Sequence, residues 1–123
     1  MERIDRLSDT ELSILQYLWE HGEATSREIT IGIYGEMTEG KMSSVQKLIE
    51  RMEAKGCIDR NRGEKTHRFR ARASREQYLR SRLQALADRI CDGTLVPLVS
   101  TLVQSKGFSK KEREELRKLL GNL

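Results

Sequence analysis

Apolar positions in the first third of the chain recur at the three- and four-residue spacing of amphipathic α-helices. Residues 8–11 and 25–28 each have the form of a capping box, in which a hydroxyl side chain is followed three positions later by Glu. These signals predict a first helix that ends near Gly22 and a short second helix that ends near Gly35. The chain therefore opens with two helices in close succession.

A third helix is predicted from about Met42 to Lys55, after a polar loop over residues 36–41, and Gly56 is a suitable residue to end it. At about 100° per residue, this helix has two contrasting sides. The apolar side, which we expect to face a core, consists of Val45, Leu48, Ile49 and Met52. The polar side consists of Ser43, Gln46, Lys47, Glu50 and Ala54, with Ser44 and Arg51 on its flank.

The pattern changes to a period of two after the third helix. Residues 57–60 are short and strand-like, residues 61–65 have the composition of a turn, and residues 66–72 alternate strictly. This alternation predicts a β-hairpin with Thr66, Arg68, Arg70 and Arg72 on one face and His67, Phe69 and Ala71 on the other. The basic residues of its arms and tip are Arg60, Arg62, Lys65, Arg68, Arg70 and Arg72.

Helical spacing returns from Ser74 in three segments, each with an apolar stripe. The three stripes are Leu79, Leu83, Leu86 and Ile90; Leu95, Leu98, Val99, Leu102 and Val103; and Leu116, Leu119 and Leu120. Thr94 is placed to cap the second segment, with Pro97 in its first turn, and residues 109–112 form a third capping box. About fifty residues in three such helices bury little apolar surface alone, so we expect a homodimer.

Three helices followed by a two-stranded hairpin are the order of a winged helix-turn-helix. The predicted fold class is mostly α with a small β-hairpin wing, followed by a helical dimerisation region. We expect residues 1–73 to form a winged-helix DNA-binding domain and residues 74–123 to form the dimerisation domain.

Charge is distributed unevenly along the chain, and its basic part coincides with the third helix and the hairpin. Residues 1–40 carry a net charge of −6, residues 41–72 carry +6 and residues 73–123 carry +4. Hydroxyl, amide and lysine side chains on a helix suit the base edges of a major groove, and arginines on a wing suit the flanking phosphates. The predicted DNA contacts are Ser43, Ser44, Gln46, Lys47, Arg51, Arg60, Arg62, Lys65 and Arg68.

Composition narrows the remaining function classes. The 123 residues are 37% hydrophobic with a single Pro, as in a helix-rich soluble domain, and residues 95–99, the most apolar stretch, are too short to cross a bilayer. The start of the chain lacks the apolar run of a signal peptide. Cys57 and Cys91 have no metal-ligand spacing, which favours reduced thiols in a cytosolic protein. Neither His21 nor His67 is paired with a nucleophile, so we expect no enzyme, catalytic residue, metal or cofactor.

Three segments match the motifs of one known family. They are residues 7–19, with Glu11 and Trp19; Ser44-Val45, Leu48-Ile49, Arg51-Met52 and Lys55-Gly56; and Glu114-Glu115-Leu116 with Leu119-Leu120. On these residues the sequence resembles the penicillinase-repressor family of bacterial transcription regulators. The segments look like that family's opening helix, recognition-helix signature and C-terminal ending, in the same order over nearly the whole chain.

The resemblance implies a cytoplasmic repressor that binds a dyad-symmetric, double-stranded DNA operator as a homodimer through its C-terminal helices. In the antibiotic-responsive branch of the family, a membrane sensor-protease system relieves repression by cutting the dimerisation region. Aligned on the ending, the family's Asn-Phe cleavage pair falls near Thr101-Leu102, where neither residue matches. The Cys cluster of the copper-responsive branch is missing from this sequence, which disfavours copper sensing.

Two other functions remain open on the residues alone. One is a winged-helix regulator that responds to a small molecule bound between the two regions, although few aromatics argue against a large apolar pocket. The other is a winged helix used only for protein interaction, which the wing arginines and the polar side of the third helix disfavour.

Overall fold

The computed structural model describes residues 7–63 and 65–122, which form six α-helices and a two-stranded antiparallel sheet. In chain order the elements are α1 (Asp9–His21), α2 (Ser26–Tyr34), α3 (Glu39–Ala54), β1 (Ile58–Asn61), β2 (Arg68–Ala71), α4 (Arg75–Ile90), α5 (Val96–Gln104) and α6 (Lys110–Gly121). Two compact units divide the chain, and their boundary lies inside α4, between Arg82 and Leu83. The predicted class, a winged helix-turn-helix followed by a helical region, is confirmed.

Hydroxyl side chains begin three of these helices as the capping-box pattern predicts. The N–H of Glu11 donates to the Ser8 hydroxyl oxygen at 3.2 Å, and the N–H of Ser8 donates to the Glu11 carboxylate at 3.0 Å. The same reciprocal pairs are made by Thr25 with Glu28 and by Ser109 with Glu112. Each pair satisfies two backbone donors at the start of a helix, and all three predicted boxes are confirmed.

The start of α3 lies three residues before its predicted position. Thr38 is the N-cap residue, because its side chain accepts a hydrogen bond from the N–H of Lys41 at 3.2 Å. This cap has Lys41 where a capping box has Glu or Gln, so its sequence signature is weak. The predicted loop over residues 36–41 is therefore wrong in length, and the turn between α2 and α3 consists of residues 35–38.

The wing, defined as β1, β2 and the residues between them, is held to the first helices by backbone hydrogen bonds. β1 and β2 are antiparallel, with Arg60 opposite Phe69. Both strands differ from the predicted spans, since β1 begins and ends one residue later and β2 omits Thr66, His67 and Arg72. The N–H of Ala24 donates to the Phe69 carbonyl at 3.0 Å, and the N–H of Phe69 donates to the Ala24 carbonyl at 2.8 Å. The turn between α1 and α2 therefore holds β2 of the wing at Phe69.

A closed apolar core holds α1, α2, α3 and the wing together in the first unit. Its most deeply buried apolar side chains, each at most 1% exposed, are Ile14, Leu15, Leu18, Ile29, Val45, Ile49, Met52 and Ile58. Phe69 of β2 and Cys57 before β1 are also buried in this cluster. Because every element up to β2 contributes to one core, the position of α3 relative to the wing is fixed by packing.

The second unit buries much less apolar surface than the first. In residues 83–122, the buried residues are Ala85 and Ala87 of α4. Large apolar side chains of the three predicted stripes are between 37% and 69% exposed: Leu79, Leu83, Leu86, Ile90, Leu95, Val99, Leu102, Val103, Leu119 and Leu120. Leu98 and Leu116 are half-buried. The predicted stripes thus exist as helix faces, and most of their apolar surface remains exposed.

The break between α4 and α5 has the predicted position but a different cap. Asp92 and Gly93 both adopt positive φ, so the helical path of α4 ends before them. Leu95, not Thr94, is the N-cap residue of α5, although the Thr94 hydroxyl accepts a hydrogen bond from the N–H of Val96 at 3.3 Å. Pro97 lies in the first turn, where its missing N–H leaves no helical hydrogen bond unmade.

Candidate nucleic-acid interface

The polar side of α3 is exposed, and its apolar side is buried as the helical periodicity predicts. Val45, Ile49 and Met52 belong to the core, and Leu48 packs half-buried against it. The predicted groove-facing residues Ser43, Ser44, Gln46, Lys47 and Arg51 are all exposed, as is Glu50. The helix therefore presents hydroxyl, amide and charged groups on a surface that can approach base edges closely.

A buried carboxylate links the last turn of α3 to the first turn of α1. Glu11 is buried, and its Oε2 lies 3.7 Å from the Nζ of Lys55. Burial raises the pKa of Glu11, but the hydrogen bonds from Ser8 and the charges of Lys55 and Arg51 outweigh burial and hold that pKa below its ordinary value. Glu11 is therefore ionised at neutral pH and helps to fix the C-terminal end of α3.

Arg60, one of the predicted phosphate contacts, is bound within the wing. Its guanidinium donates to the Glu53 carboxylate at 3.0–3.3 Å and lies 3.0 Å from Nδ1 of His67. The same group stands 4.8 Å from the centre of the Phe69 ring, and the Arg60 side chain is 18% exposed. A planar guanidinium with these partners joins the end of α3 to both strands of the wing.

Arg68, a second predicted phosphate contact, faces the turn between α1 and α2. Its guanidinium donates to the Glu23 carbonyl at 3.3 Å and lies 3.5 Å from the Glu28 carboxylate. The hydrogen bond from the N–H of Thr25 is the largest influence on Glu28 and lowers its pKa, and the charge of Arg68 lowers it further. Arg68 is 31% exposed, so part of its side chain still meets solvent.

The cations that extend into solvent lie nearer the tip and outer edge of the wing. Arg62 is 66% exposed, with one nitrogen 3.7 Å from Glu53, and Lys65 is exposed. Arg70 is also exposed, although it was not among the predicted DNA contacts. The sequence could have identified Arg70, because it lies two residues after Arg68 and so belongs to the same face of the alternating stretch. Arg62, Lys65 and Arg70 are the wing cations best placed for an external anion.

A cleft of about 440 Å³ separates the wing from the polar side of α3. Gln46 and Glu50 line it from α3, Lys65 and His67 line it from the wing, and Ser26 lines it from α2. The structure therefore brings the predicted contacts Gln46 and Lys65 to the two sides of one depression. The cleft is lined by amide, hydroxyl and cationic groups together with the Glu50 carboxylate.

The histidines and cysteines of the described residues do not gather into a candidate metal centre. Within residues 7–63 and 65–122, no group of three or more His, Cys, Asp or Glu side chains could hold a metal ion. His21 bonds through Nδ1 to the Tyr17 carbonyl at 2.9 Å and stacks on the Tyr17 ring. Cys57 is buried and Cys91 is partly exposed. In this part of the chain, no helix is both long and apolar enough to cross a membrane.

Comparison with known proteins identifies the family to which this chain belongs. The family model described as "Penicillinase repressor" matches residues 7–122. The chain is also 21% identical over 120 residues to the curated penicillinase repressor of Bacillus licheniformis, and this alignment covers 98% of the chain and 93% of that protein. Because the family match includes both the winged helix and the C-terminal helices, the chain belongs to the penicillinase repressor family of transcriptional regulators.

Proposed function

We propose that this protein is a sequence-specific repressor that places α3 in the major groove of duplex DNA and the wing on the flanking backbone. The observation that carries the proposal is the exposed polar side of α3, whose Gln46 lines one cleft together with the exposed wing cation Lys65. A core-anchored helix with this surface matches how winged helix-turn-helix proteins read base edges. The family membership supports the same function.

The proposed interface divides into base-reading, phosphate-binding and wing-positioning residues. Ser43, Ser44, Gln46 and Lys47 read base edges, and Arg51 contacts the backbone from the flank of α3. Arg62, Lys65 and Arg70 bind phosphates. Arg60 and Arg68, which are held by acidic partners, set the angle of the wing and contribute to the local positive potential.

The repressor acts as a homodimer through α4, α5 and α6 in this proposal. The support is the apolar surface on the predicted stripes, which monomeric soluble proteins rarely leave exposed as a continuous patch. A dimer holds two half-sites at once, and linking two binding modules raises affinity by roughly 10²–10⁴-fold without new contacts to DNA. The operator is therefore a dyad-symmetric duplex.

Proteolytic release of the operator is a further part of the proposal. A cut near Thr101-Leu102 in α5, made by a sensor-linked protease, would separate α6 from the winged unit and remove part of the dimer contact. Both residues are exposed in the single chain, and the sequence differs here from the Asn-Phe pair of the family it resembles. The test is to insert a foreign protease site at this position and compare operator affinity before and after cleavage. Unchanged affinity with separated fragments would exclude this mode of release.

The DNA-binding proposal is tested on an operator selected in vitro from random duplexes. We expect Arg62→Ala and Lys65→Ala to weaken binding to the operator and to random DNA equally, since phosphate contacts carry no sequence information. Lys47→Ala and Gln46→Ala should reduce operator preference by roughly 1–3 kcal/mol. The salt slope of log affinity should fall by about 0.9 for each phosphate contact removed.

Lys106→Ala is the matched control for these variants, because it removes an exposed positive charge far along the sequence from the interface. It should leave operator preference unchanged and alter total affinity little. If all four interface variants lose operator and random binding equally, α3 does not read bases. If none weakens binding, the cleft and the wing are not the DNA interface.

A further inference from the structure

Trp19, near the end of α1, is bonded to the residue that leads into α4. Its indole N–H donates to the backbone carbonyl of Ala73 at 2.8 Å. The ring is half-buried and packs against the core of the first unit, so its position is set by that core. Because an indole has a single donor, this bond fixes both the ring and the chain that enters α4.

Two side chains from the beginning of α4 meet the same indole. The Tyr78 ring lies 5.9 Å from the Trp19 ring, centre to centre, at a tilt of 46°. The Arg75 guanidinium lies 5.7 Å from the centre of the Trp19 ring. Arg75 and Tyr78 are three residues apart and so share a face of the helix. Trp19, Arg75 and Tyr78, which we call the α4 anchor, therefore join the first turn of α4 to α1 through a tilted aromatic contact and a cation–π contact.

The start of α4 is also ordered locally, so the anchor holds a formed helix. The N–H of Gln77 donates to the Ser74 hydroxyl at 3.1 Å, and the N–H of Ser74 donates to the Gln77 side chain at 2.9 Å. This reciprocal pair has the form of a capping box. Within the first unit, the start of α4 is therefore both capped and held from the side.

We propose that the α4 anchor makes Trp19 a positioning residue, which sets the direction of α4 and thereby the half-site spacing that the dimer recognises. The inference rests on the proposed function, since it assumes that the helices from α4 onward join two winged units. α4 has 16 residues and is about 24 Å long at 1.5 Å per residue. A change of about 20° at its start displaces its far end by roughly 8 Å, which exceeds the rise of two base pairs in a duplex with about 3.4 Å per step.

Loosening the anchor should therefore affect avidity while leaving contacts within a half-site intact. Linking two modules raises the affinity for the full operator only when the linkage matches the distance between the two half-sites. None of the three anchor residues is among the proposed DNA contacts. A variant with a loose anchor should bind a single half-site normally, bind the full operator less tightly, and discriminate less between operators of different spacing.

The experiment compares the full-length parent with Trp19→Phe, which keeps an aromatic ring and removes the indole donor. Gln16→Ala, at an exposed position of α1, is the control. Each protein is titrated with a half-site duplex, with the full operator, and with operators lengthened or shortened by one and two base pairs. For Trp19→Phe we expect unchanged half-site affinity and dimer mass, about tenfold weaker binding to the full operator, and a flatter spacing series.

Tyr78→Leu provides a second variant that retains the chain's single tryptophan. Its Trp19 emission should shift to longer wavelength as the ring becomes more exposed, and its spacing series should flatten in parallel. This variant decides the question if Trp19→Phe does not fold. Wild-type affinity across the spacing series in a folded anchor variant would overturn the inference. A parent protein that binds half-site and full operator equally would instead contradict the proposed dimeric function.

Discussion

The two units of this chain have the same kinds of helix-start signals and apolar stripes, but they differ in how far the apolar side chains are buried. In the first unit, helices and wing converge on side chains such as Ile14 and Ile49, which are almost completely buried. In the second unit, α5 has a Pro in its first turn and α6 begins with a capping box. These helices nevertheless expose residues such as Leu102 and Leu119 to solvent. Apolar periodicity therefore predicts helix faces in both units, whereas only the first unit covers those faces within one chain.

This difference fits the separate roles that we propose for the two units. A closed core gives α3 and the wing a fixed geometry, which sequence-specific DNA reading requires. Uncovered stripes leave apolar surface for a second copy, which a homodimeric repressor requires. A substitution should therefore impair the role of one unit while leaving the other unit intact.

The largest effect should come from Leu102→Asp in α5. Leu102 is half-exposed in the single chain, so a charge there should leave the winged unit folded while opposing burial in a dimer. We expect monomers by sedimentation and a loss of operator affinity of roughly 10²–10⁴-fold, since the second half-site no longer contributes. Ser100→Asp places the same charge about 200° away around the helix and should leave the dimer intact. Equal behaviour of the two variants would contradict the assignment of this stripe to dimerisation.

The next effect should come from removing core volume in the first unit. Ile49→Ala should destabilise the fold by roughly 2–5 kcal/mol, because Ile49 is fully buried between α3 and its neighbours. Leu119→Ala truncates an exposed residue of α6 and should act mainly through the dimer. Urea denaturation at several protein concentrations separates the two cases, since only the Leu119→Ala effect should vary with concentration. Concentration dependence for Ile49→Ala alone would reverse the roles of the units.

A comparison of two wing arginines should give a smaller effect on stability. Arg60→Ala removes charge-assisted hydrogen bonds to Glu53 and should lower the free energy of unfolding by about 1.5–3 kcal/mol. Arg62→Ala should change stability by less than about 0.5 kcal/mol because that side chain is mostly exposed. Arg62→Ala should nevertheless weaken binding to random DNA. Thermal unfolding and a DNA titration of both variants check this division, and an unchanged melting temperature for Arg60→Ala would argue against its positioning role.

The smallest effect concerns the pH dependence of the first unit. The pKa of Glu11 is below its ordinary value in the folded chain, so its contribution is present above the unfolded pKa of about 4.3 and disappears as pH falls through the folded pKa. Glu11→Gln keeps a capping side chain and removes the charge near Lys55. It should lower stability at pH 7, by less than Arg60→Ala does, and leave a shallower acid transition. A parent and variant with parallel stability profiles from pH 7 to pH 3 would contradict this role for Glu11.

Local features of the fold could be predicted from the sequence because their determinants are close together in the chain. The capping boxes at Ser8, Thr25 and Ser109 each need only four consecutive residues, and the two sides of α3 follow from its own period. The start of α3 was misplaced because Thr38 caps it without an acidic partner three residues later. Such a cap resembles ordinary loop sequence.

The pairing of the wing arginines could not be predicted because their partners are distant in sequence. Arg68 donates to the Glu23 carbonyl, which is 45 residues away in sequence. The alternating pattern predicts the strand face on which Arg68 lies but not the residue it contacts. Arg60 meets Glu53 only because α3 ends beside β1. The Trp19 bond to Ala73, over 54 residues, likewise depends on tertiary packing. The residue types therefore predict a basic wing. The structure is needed to distinguish the arginines that are bonded within the protein from the cations that are exposed.

In the proposed complex, two copies of the chain hold one operator, each through its own winged unit. Sedimentation equilibrium of the full-length protein with the selected operator duplex measures this directly as the mass of the saturated complex. We expect two chains per dyad-symmetric duplex, and one chain per duplex for Leu102→Asp on an isolated half-site. A saturated complex of one parent chain on the full operator would contradict it.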